Sequence, residues 1–418
     1  MTPPGYKQTE VGVIPEEWAI VELSETARVV DSLHQTPSFA VDGYPMVRVT
    51  DIKPGNLSFA ETLRVTEAVF AEFTKNYRPK RDDIVLSRVG SYGVSSFVET
   101  DEPFCMGQNT VVLQPKLPSR FLYYVLNSRN IRQQIEDGSY GSGYKSLSLK
   151  NIKELRIPVP PTDAEQRAIA TALSDVDALL AALEQLIAKK CDLKQAAMQQ
   201  LLTGQTRLPG FKGEWVVKTL LELSEGKKEL FDDGDWIESE HITSQGVRLV
   251  QTGNIGIGCF VEKEDRKYIY EKSFASLRCK QLRTGDLLVC RLADPAGREC
   301  VFPDIREAKV VTSVDVTICR PPPESACRAY LANLFSTPEW FRKVSDRSGG
   351  TTHKRVSRGT LGKIPFYLPS LPEQTAIAAV LTEMDAELGA LEQRRAKTRA
   401  LKQGMMQELL TGRTRLLG

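Results

Sequence analysis

Few residues in this chain have both the type and the spacing that bond-making chemistry requires. "PDIREAK" (303–309) places Asp304, Glu307 and Lys309 together, the side chains of a metal-dependent nuclease centre. Such a centre takes its Asp and its Glu-x-Lys from separate strands so that both carboxylates meet one cation, whereas these share one short segment, which reads as a surface loop. The three histidines, His34, His241 and His353, are isolated from one another, so no HExxH metal site can be written and a triad has no basis. "GTLGK" (359–363) lacks the spacing of a phosphate-wrapping loop, and "TPPGY", "VPPTD" and "RPPPE" lack the first and last residues of the Asn-Pro-Pro-aromatic motif of adenine methyltransferases. Eight cysteines form no CxxC pair, which points to buried reduced thiols and to no metal site.

The residues that do suggest chemistry are basic and hydroxylic. "RKVSDRSGGTTHKRVSRGTLGK" (342–363) carries seven Lys or Arg against one Asp, interleaved with Gly, Ser and Thr. Small donors and cations in one loop can approach a phosphate backbone and bond base edges. A milder counterpart, "GSYGSGYKSLSLKNIK" (138–153), adds Tyr140 and Tyr144. The candidate DNA contacts are Arg88, Ser91, Tyr92, Tyr140, Ser142, Tyr144 and Lys145 in the first half of the chain. In the second half they are Arg291, Arg298, Thr351, Thr352, His353, Lys354, Arg355 and Arg358. Arg88 and Arg291 hold equivalent places, and each could instead pair with a nearby Asp. A solvated connection is the bland reading of either loop; its recurrence at the same place twice favours nucleic acid.

That recurrence belongs to a duplication of the whole chain. Glu165–Leu208 aligns with Glu373–Leu416 without a gap at 27 of 44 identical positions. Fainter echoes extend it: "RDDIVLSRVGSYG" (81–93) matches "TGDLLVCRLADPAG" (284–297), and "LYYVLNSRNIRQQI" (122–135) matches "LANLFSTPEWFRKV" (331–344). "GYPMVRVTDI" matches "GVRLVQTGNI", and Trp18 matches Trp215. The well-kept segments are helical by pattern. Ile169, Leu173, Val176, Leu180, Leu183 and Ile187 recur in steps of four and three, and Ile377, Leu381, Met384, Leu388 and Leu391 repeat the seam. Each predicts one long helix ending at Gly204 or Gly412, paired with the other copy; two helices lying separately on their own globular parts is the alternative. The variable segments read as mixed α/β with many short strands, such as "DIVLSRV", "NTVVLQP", "DLLVCRL" and "VVTSVDVTICRP", and one clear helix each, about 119–136 and about 327–345.

At 418 residues with a formal net charge of +2, the chain is a multi-part globular protein whose total charge decides nothing about nucleic acid. Its N-terminus has no signal-peptide pattern, and it has no apolar run long enough to span a membrane, so the cytoplasm is the expected location.

The order of parts is specific. "LRIPVPPTDAEQRAIATAL" (155–173) and "IPFYLPSLPEQTAIAAVL" (364–381) close the two variable segments, and with "VRVTDI", "LVQTGNI" and "LLTGQTRL" the whole chain resembles the DNA-specificity subunit of type I restriction-modification systems. The resemblance implies two target-recognition domains, residues 1–160 and 209–368. Between and after them lie two antiparallel spacer helices, residues 161–208 and 369–418. It further implies readout of a split DNA target by a non-catalytic chain. The implied partners are two adenine-N6 methyltransferase subunits using S-adenosylmethionine, and restriction subunits using ATP and magnesium. A coiled-coil adaptor without DNA readout, or an enzyme built on Asp304 and Glu307, are the alternatives.

Overall fold

Each striped segment is a single 39-residue helix, Asp163–Leu201 and Leu371–Leu409, in the computed structural model, which describes residues 3–138, 146–292, 295–350 and 354–416. At ~1.5 Å rise per residue each helix is about 58 Å long. Thr162 caps the first by accepting from the Glu165 amide at 3.2 Å, and Pro372 in the second falls in the opening turn, where no amide is needed. Both stop as the "LLTG" phrase predicts, with Gly204 at φ 72° and Gly412 at φ 68°. A left-handed turn there is free of the Cβ penalty only for glycine. Packing rings enforce the same choice, since a Cβ on Gly412 would come 2.5 Å from Pro15 and 3.1 Å from Trp18, and one on Gly204 would come 3.3 Å from Trp215.

The chain packs into two units, residues 1–185 with 393–418, and residues 186–392. Each unit therefore contains the start of one long helix and the end of the other. In the first, Glu165, Asp177 and Glu184 meet Arg415, Lys402 and Arg399, with Lys402–Asp177 at 2.5 Å and Arg399–Glu184 at 3.0 Å. Numbers rise on one helix as they fall on the other, so the two run antiparallel. In the second unit Lys190–Glu387 (2.7 Å), Lys194–Asp385 (2.5 Å) and Arg207–Glu373 give the same sense.

The globular part of the first unit holds an antiparallel sheet in the order Ala27–Asp31, Thr110–Pro115, Ile84–Ser87, Ser95–Phe97. A second sheet runs Leu63–Val65, Tyr44–Val47, Cys105–Met106, its last pair parallel. The second unit repeats both. Its first sheet is Phe231–Asp233, Val316–Cys319, Leu287–Cys290, Glu299–Val301, and its other contains Lys267–Ile269, Val247–Val250, Val310–Thr312, again with a parallel last pair. A two-stranded sheet closes each unit, Ala19–Glu22 with Arg156–Val159 and Val216–Lys218 with Phe366–Leu368. The architecture is the pair of mixed α/β units with long antiparallel helices that the family resemblance implies.

Two expectations need correction. The single helix at 119–136 is two, Ser119–Leu126 and Arg129–Asp137, and its counterpart is likewise Arg328–Phe335 and Pro338–Ser345. Ser128 and Thr337 break the run because each side chain caps the following helix, accepting from Ile131 and Trp340. Nor are all thiols buried: Cys105, Cys290, Cys300 and Cys319 are, but Cys191 and Cys259 are exposed. Burial pushes the Cys105 and Cys300 thiols up to about 12, which leaves them inert.

The seam positions divide by place. Ile169 and Leu173 join the first unit's core with Leu409 and Leu410, and Ile377 and Leu381 join the second's with Leu201 and Leu202. Leu183 and Ile187 are buried further along, while Val176, Leu180, Met384, Leu388 and Leu391 are half-buried. One end of the stripe thus packs on a globular core and on the opposite copy's helix end at once.

Candidate nucleic-acid interface

Arg88 and Arg291 each follow the last residue of a central strand, and each pairs with an Asp of its own unit. The Arg88 guanidinium bonds Asp31 at 3.0 Å and the Leu147 carbonyl at 3.1 Å. Arg291, only 4% exposed, forms an ion pair with Asp233 at 3.0 Å and donates to the carbonyls of Val314 and Val356 at 2.5 and 3.2 Å. Backbone bonds from Leu147 to Arg88 and from Val356 to Arg291 fasten the same chain crossing. These arginines pin the loop before the long helix to the sheet end. That matches the alternative reading of the sequence, in which each of the two pairs with a nearby Asp.

The basic loop is also more neutral than its composition. Arg355 pairs with Asp315 at 2.7 Å, and Arg358 pairs with Asp232. Lys280 adds a second cation to Asp232 at 3.1 Å and reaches Asp235 at 3.5 Å. Burial pushes the Asp232 carboxyl up, but Lys280 and Arg358 outweigh that and hold it below the usual range; burial raises Asp235. Sequence composition counted the cations and overlooked the carboxylates facing them. One signal was available: both copies place an Asp before a small residue at the end of the first sheet strand, "VVDS" and "FDDG".

Of the remaining candidates, Ser91 is exposed on a turn between Gly90 (φ 70°) and Gly93 (φ 77°), and Tyr92 is half-buried against the core. Gly93 has no room for a side chain, since a Cβ would come 2.6 Å from Ile135. Arg298 is half-buried and donates to the Thr252 carbonyl at 3.4 Å. Lys354 is exposed and donates to Ser345 at 3.0 Å, and Arg355 keeps 49% of its side chain exposed despite its partner. Tyr140, Ser142, Tyr144, Lys145, Thr351, Thr352 and His353 lie outside the described residues. Of these candidates, the first unit exposes the Ser91 hydroxyl and the second exposes Lys354 and Arg355, on loops fastened by the Arg88–Asp31 and Arg291–Asp233 pairs.

Asp304 and Glu307 have other partners: Asp304 accepts from the Arg306 amide at 2.8 Å, and Glu307 accepts from the Tyr268 hydroxyl at 3.1 Å. Among the described residues no group of three or more His, Cys, Asp or Glu could hold a metal ion.

The sequence profile described as the type I restriction modification DNA specificity domain matches this chain twice, at residues 15–190 and 214–399. The chain belongs to this family. Each match covers one variable segment with most of the long helix that follows it. Among relatives, the MjaVIII specificity subunit of Methanocaldococcus jannaschii is 22% identical, with 96% of this chain and 94% of that protein covered. The EcoBI specificity subunit of Escherichia coli is 23% identical over 95% and 85%. The crystal structure of a type I restriction-modification S subunit from M. genitalium shares the fold, with a TM-score of 0.59 at 17% identity over 98% of this chain and 99% of that one. No helix of the described residues is long and apolar enough to cross a membrane.

Proposed function

We propose that this specificity subunit reads a split DNA target, each unit binding one part of it, and performs no bond chemistry itself. In this reading it docks two adenine-N6 methyltransferase subunits, which bring S-adenosylmethionine, and restriction subunits, which bring ATP and magnesium. The observation that carries the proposal is the coincidence of two family matches with two units of the same sheet topology whose exposed loops differ in sequence. A repeated scaffold with unlike loops suits two unlike half-sites, as subunits of a dimer suit like ones. Ser91, Lys354 and Arg355 contact DNA, and so do Tyr140, Ser142, Tyr144, Lys145, Thr351, Thr352 and His353. The four segments 1–160, 161–208, 209–368 and 369–418 serve as reader, spacer, reader and spacer.

The test is to map N6-methylated adenines in cells supplied with an adenine-N6 methyltransferase subunit of this family, with and without this chain. A two-part motif that disappears with the chain is the expected result; methylation at the same sites without it refutes the proposal.

A further inference from the structure

We propose that the second unit carries a groove for an apolar hairpin tip supplied by another protein, at the place where the first unit is covered by a hairpin of its own. In the first unit the strands Tyr6–Thr9 and Gly12–Pro15 pair antiparallel. Val11 and Ile14 are buried in one cluster with Val125, Ile131, Ile157 and Leu410. Polar contacts fix the hairpin: Asn130 donates its side-chain amide to the Val11 carbonyl, Glu10 pairs with Arg156 at 3.2 Å, and the Tyr6 hydroxyl donates to the Gly412 carbonyl at 3.1 Å.

The duplication maps Val125, Asn130 and Ile131 onto Leu334, Glu339 and Trp340, and the registers of the two closing sheets place Ile157 and Pro158 with Phe366 and Tyr367. In the second unit those five residues, with Lys343, line an open groove of about 160 Å³. Its cover is missing from the sequence. Thirteen positions separate Gly5 from Trp18, but only five separate Gly210 from Trp215, so "QTEVGVIP" (8–15) has no counterpart. Beside the groove Val216, Val217 and Tyr367 are 53%, 54% and 58% exposed on a two-stranded sheet, whereas Pro158 in the first copy is buried. Contiguous exposed apolar side chains of this kind mark a binding surface.

Charge identifies the occupant. The resident hairpin brings Glu10 to Arg156, and at the equivalent corner of the second unit the Pro365 carbonyl is held by the Lys343 ammonium at 3.2 Å. A cation therefore stands at the same place in both, although it comes from a different residue. Lys343 also meets the half-exposed Glu339 at 2.8 Å, a pair that an incoming carboxylate can displace at small cost. The fitting partner presents a β-branched aliphatic side chain beside a carboxylate at a turn, the pattern of Glu10–Val11.

The probe is a labelled synthetic peptide of residues 5–18, titrated into the intact chain and followed by fluorescence anisotropy. Saturable binding is expected, weakened about tenfold by Tyr367→Lys and unchanged by Val41→Lys, which alters a fully exposed residue of the first unit. A second variant inserts "QTEVGVIP" after Lys212; it should no longer bind the peptide, and amide exchange across 364–368 should slow. Equal binding by Tyr367→Lys overturns the proposal. So does absence of binding together with unaltered exchange in the insertion variant. Concentration-dependent self-association abolished by Tyr367→Lys would assign the groove to a second copy and overturn it as well.

Discussion

Removing the Arg415 side chain should loosen the first unit far more than its place near the chain end suggests. Its guanidinium makes two bonds to Glu165, whose side chain is 2% exposed, and one to Glu17 at the surface. The bonds to Glu165, then those to Glu17, raise the Arg415 pKa further, so the guanidinium keeps its charge. In Arg415→Ala the Glu165 carboxylate would be buried without a partner. Stranding a buried charge costs on the order of 3–5 kcal/mol, against ~0–1 kcal/mol for an exposed pair. Arg399–Glu184, with side chains 60% and 51% exposed, is the matched control on the same two helices. Hydrogen exchange of peptides covering 163–173 and 405–416, read by mass spectrometry, measures the opening free energy of this unit directly. The expected loss is at least about 3 kcal/mol for Arg415→Ala and under about 1 kcal/mol for Arg399→Ala. In a Glu165→Ala background the first loss should shrink, because no carboxylate is then stranded. Equal effects of the two arginine variants would refute the argument that the duplicated "TRL" phrase locks each helix end to the other helix's start.

Further outcomes follow from the same structure. Gly412→Ala should destabilise by about 1–2 kcal/mol or more, since it adds a left-handed backbone cost to a 2.5 Å approach to Pro15. Gly389→Ala, mid-helix with nothing within 4 Å, should instead stabilise by roughly 0.5–1 kcal/mol; thermal melts compare the two. Burial pushes the Glu299 carboxyl up to about 8, so the folded state holds a proton that the unfolded chain has lost. Stability from this group is full below the unfolded pKa of about 4.5 and declines as pH rises towards 8, by at most about 5 kcal/mol in all. Glu299→Gln should flatten that slope in urea titrations at pH 5 and pH 8. If Arg355 reads a base, Arg355→Ala should cost about 1–3 kcal/mol and relax one target position; a phosphate contact would weaken all sequences alike and flatten the salt dependence, and no change in either excludes the residue.

How much of this was legible in the sequence depended on how local the cause was. The long helices and their glycine stops were legible because seam spacing and C-cap chemistry each act over a few turns, while their antiparallel sense was given only by the family resemblance. The fused helix at 119–136 was a misreading of Ser128, whose cap role outweighs the apolar rhythm on both sides. The site was less legible than the fold. Arg88 and Arg291 stand out by type and by repetition, yet the carboxylates they meet, Asp31 and Asp233, are 57 and 58 positions away and brought near only by strand pairing. The neutralised basic loop has the same origin: Asp232 and Asp315 meet Arg358 and Arg355 through the sheet. Repetition identifies positions that matter without distinguishing a scaffold duty from a contact duty.

The central claim is that each unit reads its own part of the target independently. The most direct measurement replaces residues 209–368 with the corresponding segment of another specificity subunit and maps methylated adenines in cells supplying the methyltransferase. One half of the motif should change while the other stays as in the parent. A motif altered in both halves, or in neither, contradicts the claim.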